Sequence, residues 1–65
     1  MEEEDLEERL VELKREHQDL DDVIDRLHKV QPVDLFQIQR LKKRKLMLKD
    51  MIRKIESALL PYIIA

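Results

Sequence analysis

Apolar side chains recur along two stretches of the chain at steps that alternate between three and four residues. The first seam reads Leu6, Leu10, Leu13, His17, Leu20, Ile24, Leu27, and the second Ile38, Leu41, Lys45, Leu48, Ile52, Ile55, Leu59. Such a repeat keeps one narrow stripe of an α-helix turned toward another helix. The spacing predicts a first helix over about residues 3–29 and a second over about 35–60. Between them Pro32 disfavours helical geometry at Gln31, and Asp34 is suited to cap a helix opening at Leu35. A turn over about 30–34 is short enough to send the second helix back along the first. Pro61 is expected to stop the second helix and leave a short apolar tail over 61–65. The expected fold class is all-α: residues 1–65 form one antiparallel two-helix coiled-coil hairpin, and two hairpins assemble into a four-helix bundle.

Setting Ile24 opposite Ile38 gives layers whose residue numbers sum alternately to 62 and 61. That register pairs Leu10 with Ile52, Leu13 with Leu48 and Leu20 with Leu41, and it makes His17 opposite Lys45 the one polar layer. Glu16, Asp21 and Lys49 are expected at its rim. A polar layer inside an apolar seam fixes register and partner choice at a cost in stability. Replacing both His17 and Lys45 by Leu is therefore expected to raise thermal stability while loosening register or oligomer state.

Charge agrees with a hairpin. Residues 1–31 carry 12 acidic and 5 basic groups, a net of −7, and residues 32–65 carry 3 acidic and 8 basic, a net of +5, which together give the net −2 of the whole chain. An acid-rich arm folded on a base-rich arm sets opposite charges side by side along the seam. The chain has 43% charged and 43% hydrophobic residues with no Gly and no Cys, the mixture typical of long paired helices and without disulfides or thiolate metal sites. Sixty-five residues bury little surface alone, so self-association is the expected remedy. The start, MEEEDLEE, has neither the basic nor the apolar segment of a signal peptide, and no run approaches the roughly 20 apolar residues of a membrane span. A cytoplasmic protein with no membrane contact is expected.

The chemistry on offer is sparse. His17 is the first candidate for a catalytic or ligand role, yet its expected neighbours supply a polar layer and no further parts of an active site. His28 lies eleven residues after His17, about 16 Å along a helix, too far for one metal ion to bridge. Ser57 is about 18 Å from the His17 layer, which excludes a Ser-His nucleophile within the hairpin. No catalytic residue, cofactor or metal site is expected, and the chain is not read as an enzyme. The run Arg40, Lys42, Lys43, Arg44 is the one candidate for nucleic-acid contact, since clustered cations neutralise phosphates. It supports an alternative reading as a small nucleic-acid-associated regulator, set against the acidic first arm and the lack of an aromatic stacking platform. Off the seams, Val11, Val23, Leu46, Met47 and Met51 exceed what a single hairpin covers and are the expected interface between two copies, with Met47 and Met51 near the shared centre. Tyr62–Ala65 is a candidate for docking on the bundle or for capturing another protein, with a frayed end as the plain alternative.

Glu16-His17 followed by Leu20-Asp21 and Ile24, together with the run Leu41 to Asp50 (LKKRKLMLKD) and Ile52, resembles a family of small bacterial proteins known as YdcH-like, whose function is unknown. The resemblance covers roughly Leu13 to Ile55. It implies a cytoplasmic helical hairpin and supplies no activity, and the MEEEDLEE start and LLPYIIA end fall outside it. The function expected is that of a non-enzymatic, self-associating interaction or scaffold module.

Overall fold

A computed structural model describes the backbone of residues 2–64 and the side chains of residues 2–61. Two helices pack against each other, α1 over Glu3–Lys29 and α2 over Leu35–Ile64, with no strand among the described residues. Glu3, Glu4 and Asp5 occupy the first turn of α1 and Arg26, His28 and Lys29 its last, each sign at the helix pole that favours it. Lys29 Nζ also donates to Asp25 Oδ2 at 3.1 Å. At the start of α2 the Asp34 carboxylate accepts a hydrogen bond from the Gln37 backbone N–H at 3.0 Å, and the Asp34 carbonyl accepts one from Ile38 N–H at 3.1 Å. The Asp34 side chain thus caps an amide that the helix itself leaves without a partner, and its carbonyl accepts the first bond of the helical ladder. The Gln31–Pro32 peptide in the turn is cis.

The hairpin is a flat rod of 51 × 18 × 14 Å. Its radius of gyration is 15.0 Å, against about 11 Å for a compact domain of this length, so most side chains that are not on the seam face outward. Burial follows the repeat closely. All fourteen seam residues are buried or half-buried, and the only other described residues so placed are Asp21, Val23 and Val33. Leu13 and Leu48 are the most enclosed, at 1% and 2% exposure, and with Ile52 they form the centre on which Leu10, Leu20 and Ile55 pack.

The register differs from the one expected. Outward from the turn both seams step three, four, three, four, three, four, so starting from Leu27 with Ile38 all seven layers pair at a constant sum of 65. The ion pairs across the arms agree: Glu16 with Arg44 sums to 60, Lys14 with Glu56 to 70, and Asp21 with Lys45 to 66, values that bracket 65 from its two flanks. Leu59 is 3% exposed, and this register gives it Leu6 as a counterpart, whereas sums of 61 and 62 leave both Leu27 and Leu59 without one. The expected pairing of His17 with Lys45 is corrected accordingly. His17 is level with Leu48, and Lys45 is level with Leu20.

The expected end of α2 is also corrected. The helix runs through Pro61 to Ile64. Pro61 removes one hydrogen bond, to the carbonyl of Ser57, but Ser57 and Pro61 are both exposed, so water reaches the carbonyl left free. Met1, Ala65 and the side chains of Tyr62, Ile63 and Ile64 lie outside the described residues, and with them the expected docking of Tyr62–Ala65.

Candidate functional site

The polar interruption of the core is an ion pair that joins the two helices. Lys45 occupies a seam position of α2, lays its aliphatic stem along the seam and delivers its ammonium to Asp21 Oδ1 at 2.6 Å. The two side chains keep 32% and 43% of their exposure, so the bond lies at the edge of the core with one side open to water. His17, one turn before Asp21 on α1, is half-buried, and Lys49 stands one turn beyond Lys45 on α2. The hydrogen bond from Lys45 holds the Asp21 carboxyl below its ordinary value; burial opposes this, and the charges of Lys45, His17 and Lys49 add to the lowering. Asp21 therefore stays charged, and the cluster works as an electrostatic clasp between the arms. Among the described residues no group of His, Asp and Glu has the arrangement of a metal site.

Two weaker pairs flank the clasp. Glu16 Oε2 lies 3.7 Å from Arg44 Nη2 along one broad face of the hairpin, and Lys14 Nζ lies 3.7 Å from Glu56 Oε2 along the other. These side chains are about half exposed, and such pairs contribute about 0–1 kcal/mol each, enough to bias orientation. Of the basic run, Arg44 is engaged by Glu16, while Arg40, Lys42 and Lys43 are exposed and form no ion pair among the described residues.

The same two faces divide the outward apolar residues. Met47 and Met51 follow Arg44 by three and seven residues, and Val23 follows Glu16 by seven, so all three belong to the face closed by Glu16 and Arg44. Val11 precedes Lys14 by three and Leu46 precedes Lys49 by three, which puts them on the face closed by Lys14 and Glu56. The five residues expected to form one interface are thus on two opposite faces. Met47 and Met51 are 52% and 37% exposed, and Val23 is half-buried beside the seam.

Residues 10–56 match the family described as "Protein of unknown function (DUF465)". The chain belongs to this family. The YdcH-like resemblance is consistent with it. The part matched to the DUF465 family holds the Asp21–Lys45 clasp, both flanking ion pairs, Met47 and Met51, and excludes the acidic start of α1 and the apolar end of α2. No curated protein and no solved structure matches the chain. Within the described residues no helix is long and apolar enough to cross a membrane.

Two outward residues of this DUF465 chain escaped the sequence reading. Phe36 is 81% exposed and Leu35 67%, both in the first turn of α2, and Val30, on the other side of the turn, is exposed as well. Their place in the repeat was the available signal: the seam leaves Ile38 by a step of three, so the alternation puts its preceding position four residues back, at Asp34, and Leu35 and Phe36 fall between seam positions.

Proposed function

We propose that this DUF465 protein is a non-enzymatic helical hairpin that self-associates into a four-helix bundle and serves as a protein-interaction or scaffold module. The observation that supports it is the exposed pair Met47 and Met51, one turn apart on α2, on the same face as half-buried Val23. A rod only two helices thick has no further layer to cover them, and a second rod laid on this face does so. Met47 and Met51 are also flexible enough to fill the gaps of a helix–helix seam without a fixed geometry.

Sedimentation equilibrium tests the proposal. The chain is expected to sediment at micromolar concentration with twice its 7.9 kDa mass. The Met47→Glu, Met51→Glu variant is expected to sediment as the monomer with its helical circular dichroism retained, since neither side chain belongs to the hairpin's own core. A parent chain that sediments as a monomer contradicts the proposal.

A further inference from the structure

Taking self-association through the Met47 face as given, the charges on that face select how the second copy is set. Along its α1 edge stand Asp5, Glu12, Glu16 and Asp19, with Arg9 and Arg26 as the cations, a net of −2. Both cations are engaged within α1: Arg9 Nη1 lies 3.6 Å from Glu12 Oε2, and Arg26 Nε donates to the Asp22 carbonyl at 3.4 Å. Along the α2 edge stand Arg40, Arg44 and Lys54 with no acid, a net of +3. One face therefore carries a negative edge and a positive edge, side by side along the length of the rod.

We propose that two copies pair on this face about a two-fold axis running along the rod, so that each α1 lies on the α2 of the other copy and both turns sit at the same end. A face with edges of opposite sign is complementary to itself under that rotation. A two-fold axis across the rod instead lays negative edge on negative edge and positive on positive, with the turns at opposite ends. The lengthwise axis also preserves the levels set by the constant sum of 65. Glu12 then meets Lys54 of the second copy and Asp19 meets its Arg44, while Met47 and Met51 lie between the charged pairs. A face of 51 × 18 Å offers about 900 Å² per copy, near the roughly 800 Å² per partner of a stable interface.

Distances between turns decide the axis. The chain has no Cys, so Gln31→Cys in the exposed turn gives a single spin-label site per copy. Pulsed electron resonance on the labelled dimer is expected to give a separation within about 25 Å, two interaxial spacings plus the label arms. A separation near the 51 Å length of the rod, in a sample of dimer mass, overturns the lengthwise axis and leaves self-association standing. A monomer mass removes both. Charge exchange gives an independent reading: Lys54→Glu alone and Glu12→Lys alone are each expected to weaken association about tenfold, and an equimolar mixture of the two to regain it as a heterodimer. Variants that associate like the parent, or a mixture that does not recover, contradict the pairing.

Discussion

Leu48→Ala is expected to lower the free energy of unfolding by about 3 kcal/mol. Leu48 is 2% exposed and sits at the centre of the packed cluster with Leu13 and Ile52, so truncation loses the transfer energy of the removed methyls and leaves a hole that a two-helix rod has few side chains to fill. At roughly 0.05–0.15 kcal/mol per residue, a chain of this length has a total stability of about 3–10 kcal/mol, so this one truncation removes from about a third of it to nearly all. Leu46→Ala, two residues away and 62% exposed, is the matched control, expected to change stability by less than about 0.5 kcal/mol. Urea titration of helical circular dichroism reads both. Similar losses in the two variants contradict the placement of the seam.

The second large effect concerns the clasp. Replacing His17 and Lys45 together by Leu is expected to make the seam apolar throughout and to raise stability at neutral pH by about 2 kcal/mol, or on the order of 10 °C in melting temperature. The reason is that half-buried polar groups in a seam give up hydration for one edge-exposed bond, whereas Leu at the same positions packs against Leu20 and Leu48, and the Asp21 carboxylate left behind, 43% exposed, takes water in place of Lys45. The gain should widen in acid. Because the bond from Lys45 lowers the Asp21 carboxyl, its contribution is fully present above the ordinary aspartate value of about 3.9 and is lost as the pH falls below that through the lowered value. The parent therefore loses this stability below about pH 4 and the variant, which lacks the bond, has none of it to lose. A double variant that melts below the parent at neutral pH, or a difference that shrinks in acid, contradicts the account of the clasp.

The helices were legible because the seam positions repeat over seven layers in each arm and the stop at Gln31-Pro32 is explicit. Asp34 was legible as a cap for the same local reason, a short acceptor one residue before the first helical position. Register was harder, since a shift of a few residues in the sum still sets apolar residue against apolar residue in most layers. What separates the two solutions is at the ends, where only the constant sum of 65 gives Leu27 and Leu59 counterparts. That error carried into the site: Lys45 was read against His17, and its true partner, Asp21, only at the rim. The persistence of α2 through Pro61 was not legible from propensity, because Pro costs a helix one hydrogen bond and crowds the carbonyl four residues back, and the sequence does not show that Ser57 and Pro61 are both exposed, where water serves that carbonyl. The division of Val11 and Leu46 from Val23, Met47 and Met51 was implicit in the helical spacing, and the ion pairs then showed which flank each occupies.

The central claim is that the chain doubles back with its arms paired at a constant sum of 65. Methyl nuclear Overhauser contacts test it most directly, recorded on labelled chain diluted into unlabelled chain so that only contacts within one copy remain. The register predicts a Leu6–Leu59 contact together with Leu13–Ile52. Contacts of Leu6 with Ile55 and of Leu10 with Ile52 in their place would show the arms offset, and no contact between residues 3–29 and 35–61 of one copy would show that the chain does not fold back on itself.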